Sequence, residues 1–328
     1  MNYIVFDLEW NQSPYGKHRE NPRIPFEIIE IGAVKLNERK KEIGRFHETI
    51  KPLVYRTMNK RTQDVVHIKM DELAKSRTFS PVARSFLEWC GSDFIFVTWG
   101  TLDVFELQRN MSYYKIQYSF PFPLLYYDLQ KLYSLLYLDG KKRPALEDAV
   151  DALGLEKPRA FHRALDDTLY TAAIMQHMNL KSVLPYKSVD YFRLPQDKSE
   201  EIFLDFKTYS KYVSMPYASR DAALADKTVT ALKCNRCGLP VWRRVKWFAP
   251  GSGSTYYGLV QCPRHGHVKG KIRIKKLADD QVFVVKTIKP ATPEDVASIK
   301  EKKEAIRIKR KERRRNKKKK TSSSESNE

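Results

Sequence analysis

Two carboxylates stand two residues apart in Phe6-Asp7-Leu8-Glu9-Trp10. The segment from Tyr3 to Trp10 alternates and is rich in β-formers, and on a strand Asp7 and Glu9 point to one face. Two like charges side by side are costly unless a cation neutralises them, so the pair is a candidate metal site. The plain alternative is that one of them is a surface acid at a strand end. Asp103 follows the apolar run Phe94-Ile95-Phe96-Val97-Thr98-Trp99 and opens a helical segment. Sites in open α/β sheets gather beyond the carboxyl ends of strands, although an aspartate there is also a common helix cap. The third group is His162-Arg163-Ala164-Leu165-Asp166-Asp167. Residues five apart on a helix lie about 140° apart, so His162 and Asp167 converge only if His162 sits in the preceding loop. Pro158 and the non-periodic Arg159-Ala160-Phe161 allow that. On helical geometry alone, Asp166 is the natural partner of His162. Carboxylate oxygens suit Mg²⁺ or Mn²⁺, and a histidine can take a proton from water near neutral pH.

Positioning these groups takes a sheet with helices around it. Strands are expected at Tyr3 to Trp10, Glu27 to Leu36, Ile43 to Ile50 and Phe94 to Trp99, the second and third as an antiparallel hairpin. Helical spacing covers Gln63 to Leu73, Pro81 to Trp89, Leu102 to Asn110, Leu125 to Tyr137, Ala145 to Leu153 and Arg163 to Met178. A strand meander followed by strands alternating with helices implies a three-layer α/β/α plan around a mixed sheet.

In this order, the motifs resemble the DEDDh exonuclease superfamily over residues 1–180. Glu27-Ile28-Ile29-Glu30-Ile31-Gly32-Ala33-Val34, Thr98-Trp99-Gly100 and the His162 to Asp167 segment look most like its branch of histone-mRNA and small-RNA trimming enzymes. The resemblance implies a ribonuclease H-like fold with a mixed five-stranded sheet. It implies that Asp7, Glu9, Asp103 and Asp167 hold two Mg²⁺ or Mn²⁺ ions, with His162 as the base. It also selects Asp167 over Asp166, leaving Asp166 a supporting or capping acid. Removal of mononucleotides from the free 3′ end of single-stranded RNA or DNA would follow. Leu8, Trp10 and Trp99 beside these acids are candidate nucleic-acid contacts. Many relatives carry small or hydroxyl residues where Trp10-Asn11-Gln12 stands, so contacts to the terminal nucleotide differ here.

A second chemistry lies late in the chain. Cys234-Asn235-Arg236-Cys237-Gly238 and Cys262-Pro263-Arg264-His265-Gly266 repeat one turn, two ligands flanking two residues and then glycine, 24 residues apart. Cys234, Cys237, Cys262 and His265 therefore read as one structural Zn²⁺ site in a small, mostly-β zinc ribbon, with four ligands and no open position. His267 is an alternative fourth ligand that breaks the repeat.

The formal net charge is +21, and residues 181–328 carry +19 of it. The expected organisation is an exonuclease domain at 1–180, a connector at 181–227, the basic ribbon at 228–292, and a basic helical then disordered tail at 293–328. Clustered cations with aromatics hold phosphates and stack bases, which makes Arg243, Arg244 and Lys246 candidate contacts. A ribosome or structured RNA would satisfy the same charge. The chain lacks a basic, apolar leader and has no apolar run near 18 residues, so no membrane segment is expected and a cytoplasmic protein is. DNA trimming for proofreading or repair with a separate partner, and a catalytically weak nucleic-acid-binding adaptor, are the alternatives. The intact five-residue set argues against the adaptor.

Overall fold

The computed structural model describes residues 1–324 except Lys207, Pro240, Ser252 and Ala278; of the side chains of Arg243 and of residues 313–324 nothing is described. Residues Met1–Arg193 and Leu194–Glu328 form two compact units.

The first unit runs β1 (Asn2–Asn11), β2 (Glu27–Leu36), β3 (Glu42–Lys51), α1 (Lys60–Val66), α2 (Met70–Leu73), β4 (Arg77–Thr78), α3 (Phe79–Cys90), β5 (Phe94–Thr98), α4 (Leu102–Tyr113), β6 (Leu125–Asp128), α5 (Leu129–Tyr137), α6 (Leu146–Ala152), α7 (Ala164–His177) and β7 (Ser188–Val189). Its sheet has the order β4-β3-β2-β1-β5-β6-β7. The central five strands form the mixed sheet of a ribonuclease H-like fold, β1 pairing antiparallel with β2 and parallel with β5. The sheet is seven-stranded rather than five, because two-residue strands lengthen each edge. Alternation divides β1 between two cores. Ile4, Phe6 and Leu8 pack with Val82 and Phe86 of α3 and with Val104 and Leu107 of α4. Tyr3 and Val5 pack with Leu129 of α5, Val150 of α6 and Ile174 of α7. Each such fully buried side chain contributes roughly 1.5–3 kcal/mol.

Three sequence expectations change here. The run Leu125 to Tyr137 is a strand and then a helix: Tyr127 and Asp128 pair with Val97 and Thr98 of β5, and Asp128 also caps α5 by accepting from the Lys131 N–H at 2.9 Å. The segment Gln63 to Leu73 is two short helices, broken where His67 takes a left-handed φ of 52°. The connector at 181–227 is divided between the units, since Ser188 and Val189 pair with β6 while later residues join another sheet.

That second sheet is antiparallel with the order β10-β11-β12-β13-β9-β8. Its elements are β8 (Ile202–Asp205), β9 (Ser210–Val213), α8 (Arg220–Ala225), α9 (Lys227–Thr230), β10 (Trp242–Phe248), β11 (Thr255–Cys262), β12 (Gly266–Lys276), β13 (Val282–Pro290) and α10 (Pro293–Ser324). Residues 228–292 thus share a six-stranded sheet with β8 and β9, wider than the small ribbon domain expected there. Helix α10 extends to Ser324, beyond the Thr321 where disorder was expected, and residues 325–328 lie outside the described residues. Among the described residues no helix is long and apolar enough to cross a membrane.

Candidate active site

The acids of β1 occupy the last part of its α7-facing side. Asp7 lies opposite Gly32 and Glu9 opposite Glu30 in the β1–β2 register. Asp103 stands in the first turn of α4, buried, just past the end of β5. Asp167 is in the first turn of α7. His162 precedes that helix, exposed, with a left-handed φ of 69°. This φ is uncommon for a residue with a side chain, and the surroundings must hold it. Asp167 does so, its two carboxylate oxygens accepting the His162 backbone N–H at 3.3 and 3.2 Å. Glu9, His162 and Asp167 each bring a ligand atom to within 4.8 Å of the other two.

The four carboxyls repel one another. Burial, then Asp103, Glu9 and Asp167, raises Asp7 well above the usual carboxylate range. Burial, then Asp167, Glu30 and Asp103, pushes Glu9 up to about 8. Burial lifts Asp103 to about 7 against backbone N–H groups of Leu8 and of Asp103 itself, with Asp128 and Asp167 adding to the rise. Burial raises Asp167 to about 6 against the His162 N–H. An oxygen-only donor set carrying uncompensated negative charge fits a hard divalent cation.

The metal-free state should therefore respond to pH in an unusual direction. These acids bind protons more tightly folded than unfolded, so the folded state holds the excess protons between about 4 and 8. Stability then falls as pH rises through that window. Chelator-treated protein is expected to melt at a higher temperature at pH 6 than at pH 8, and saturating Mn²⁺ should cancel the difference. A metal-free melting temperature that is flat or rising with pH would show that the carboxyls do not repel as described.

Asp166 is turned aside, its Oδ1 3.3 Å from the Arg159 guanidinium. His162 joins Asp167 through the loop placement, the condition under which the two were expected to converge, and not through the helical face that favoured Asp166.

Residues that sequence reasoning passed over hold α7 in place. Glu30 is fully buried and accepts from His47 Nε2 at 2.6 Å, Arg163 Nη2 at 2.9 Å and the Ala164 N–H at 3.1 Å. Burial would raise its pKa, but the bonds from His47 and Arg163 prevail and lower it. An ionised glutamate at a helix N-terminus also suits the helix dipole. Next to it, a Cβ on Gly32 would lie 2.1 Å from the Leu165 nitrogen and 2.2 Å from the Ala164 carbonyl carbon. Only glycine lets β2 and α7 approach so closely. The signals were an acid inside an apolar strand and a glycine within it.

The proposed contacts fare unequally. Leu8 is 2% exposed and faces the α3–α4 core, so its side chain cannot meet a ligand. Alternation puts it opposite to Asp7, and only its N–H serves the site, bonding to Asp103. Trp10 is half-buried with its ring 5.4 Å from Phe26. Trp99 is half-buried and donates its indole N–H to the Pro144 carbonyl at 3.3 Å.

In the second unit, the Cys262 to Gly266 turn joins β11 to β12, and the other cysteine turn precedes β10. Cys234, Cys237, Cys262 and His265 offer atoms all within 4.8 Å of one another. Cys234 Sγ is 3.5 Å from His265 Nδ1, and Cys237 Sγ is 3.7 Å from Cys262 Sγ. Burial would raise Cys262, but N–H groups of Arg264 and His265 outweigh it and lower the thiol to about 6, favouring the thiolate that binds metal. His267 stands outside this group, which could hold a metal ion. Arg244 is exposed and reaches Gln261 Oε1 at 2.7 Å, Lys246 is exposed, and the Arg243 side chain lies outside the described ones.

Residues 4–175, more than half of the chain, match the model of the RNase T exonuclease family. No curated protein sequence matches the chain. Among solved structures, a full-length 3′-exonuclease is 18% identical, with 59% of this chain and 92% of that one covered and a TM-score of 0.48. The nuclease domain of 3′hExo, a DEDDh family member bound to rAMP, is 20% identical over 58% of this chain and 96% of that one, with a TM-score of 0.48. The zinc-bound E. coli ExoI–ssDNA complex is 16% identical over 56% and 41%, with a TM-score of 0.43.

Proposed function

Because the chain belongs to the RNase T exonuclease family, we propose that it removes nucleoside 5′-monophosphates from the 3′ end of single-stranded nucleic acid, RNA in preference to DNA. The observation that carries this reading is the meeting of four mutually repelling carboxyls from β1, α4 and α7 with a histidine held in a left-handed loop.

Asp7, Glu9, Asp103 and Asp167 would hold two Mg²⁺ or Mn²⁺ ions. When bound, such ions polarise the phosphoryl oxygens, acidify a water and steady the leaving 3′ oxygen. His162 accepts the proton of the attacking water, and its exposure leaves a path to pass that proton to solvent. Asp167 serves twice, as ligand and as the acceptor that fixes the His162 backbone. Glu30 and Arg163 keep this corner of α7 fixed on β2, the neighbour of β1. Cys234, Cys237, Cys262 and His265 would hold one structural Zn²⁺, and cysteines spent on a metal rather than on disulfides suit a cytoplasmic setting. RNA is favoured on the motif resemblance to RNA-trimming enzymes. Its source would be free 3′ ends or structured RNA such as that of a ribosome, gripped by the basic second unit.

Purified protein with Mg²⁺ or Mn²⁺ should shorten 3′-hydroxyl RNA oligonucleotides one residue at a time, faster than matched DNA. Intact strands, or internal cuts, would overturn the reading; faster loss of DNA would reverse the substrate preference. For the basic unit, each lost phosphate contact on a single strand lowers the slope of log K against log salt by about 0.7. Replacing Arg244 and Lys246 together by alanine should flatten that slope by about 1.4 in anisotropy titrations. An unchanged slope removes both residues from the contact surface.

A further inference from the structure

The first unit holds a cavity of about 180 Å³ between α4, residues 118–124 and the residues that follow β7. Its walls are flat groups: the rings of Tyr118, Phe120, Phe122 and Phe192. The Arg193 guanidinium, also in the lining, lies 4.5 Å from the centre of the Phe122 ring. Tyr118 and Phe120 meet edge-on with centroids 4.7 Å apart. Gln108 forms part of the wall and is 8% exposed. Its Nε2 donates to the Val104 carbonyl at 3.0 Å and to Asp190 Oδ2 at 2.9 Å. Both partners are acceptors, so the nitrogen must face them, and the amide oxygen is the atom left over. Among the described residues nothing donates to that Oε1. Gln108, itself nine-tenths buried, thus brings an acceptor without a donor to an aromatic-walled space. Gln108 is five residues along α4 from Asp103, about 7.5 Å along the helix axis and about 140° round it, so the cavity lies to one side of the acidic site.

We propose that this cavity is a nucleobase subsite, taking the unstacked base of one nucleotide of the strand whose 3′ end lies at the acidic site; the proposal rests on the exonuclease reading above. Aromatic faces and a guanidinium plane are the surfaces on which unstacked bases lie. The Gln108 oxygen accepts from an exocyclic amino group or a ring N–H. Asp190 in the wall disfavours a phosphate, and a purely apolar ligand would leave Gln108 unpaired.

The test uses the full chain and single-stranded eight-residue RNA oligonucleotides with one abasic residue at each position in turn. Binding is read by anisotropy with Ca²⁺ replacing Mg²⁺, and shortening of the unmodified strand is followed separately in Mg²⁺. One abasic position should cost the wild type about tenfold in affinity, within the range of a single base stack. In Phe122→Ala the cost at that position should fall below about threefold. Tyr118→Ala should reduce the same penalty, and Tyr118, 41% exposed, can be removed without opening the core. If no position has a penalty that depends on Phe122 or Tyr118, the subsite is overturned, whether or not the strand is shortened. A variant-dependent penalty on strands that Mg²⁺ leaves intact would keep the subsite and overturn the exonuclease reading.

Discussion

Asp167→Asn is expected to lower kcat by about three orders of magnitude while Asp166→Asn stays close to wild type. A metal that polarises a phosphoryl oxygen contributes several kcal/mol to the transition state, and each ~1.4 kcal/mol is a factor of ten. Asparagine keeps the shape of Asp167 but offers one oxygen in place of two and removes the charge. It also weakens the acceptor for the His162 N–H, so the histidine loop loosens in the same step. Asp166 has no such position: it is partly exposed and paired with Arg159. Single-turnover rates on a short RNA, with Mn²⁺ varied, separate a lost metal from a lost base. Loss of a ligand should raise the Mn²⁺ needed for half-maximal rate, whereas His162→Ala should lower the rate at unchanged Mn²⁺ dependence. Equal losses for Asp166→Asn and Asp167→Asn would overturn the assignment of the fourth carboxylate.

The second large effect concerns stability. Gly32→Ala should destabilise the first unit by about 3 kcal/mol or more, at the upper end of over-packing, because the new methyl meets backbone and not a movable side chain. For a domain of this size each 1 kcal/mol moves the midpoint by roughly 2–4 °C, so a drop of about 6–12 °C is expected in the calorimetric transition of that unit. Relief by sliding α7 outward would carry Asp167 and His162 with it, and a misplacement of about 1 Å costs on the order of a hundredfold in rate. Gly44→Ala, in the neighbouring strand β3, is the control, since its methyl would sit an ordinary 3.6 Å from the Trp89 ring. If the two substitutions melt alike, the close approach of β2 to α7 is not needed for the fold.

Much of the first unit was legible because its period is local. Strand β1 shows its alternation and β5 its apolar run, so Asp7, Glu9 and Asp103 could be placed on elements before any contact was known. Strand β6 was hidden inside a helical-looking stretch, since four residues carry too little period to stand apart from the helix they join. The edges β4 and β7 are two residues each and exist only through their partners. Asp167 could not be chosen on helical geometry, because the choice depends on the left-handed turn at His162. Glu30 and Gly32 stand in plain view within the apolar run of β2. Their roles depend on α7, more than a hundred residues away, and no local pattern announces that meeting.

That distance also bears on synthesis. The carboxyls of β1 leave the ribosome before Asp103 and Asp167, and the site needs the parallel pairing of β1 with β5 and the docking of α7. Long-range parallel contacts form late and slowly. Until residues beyond α7 have emerged, a growing chain carries Asp7 and Glu9 without Asp167 or the histidine loop. It therefore lacks the complete site for that part of its translation.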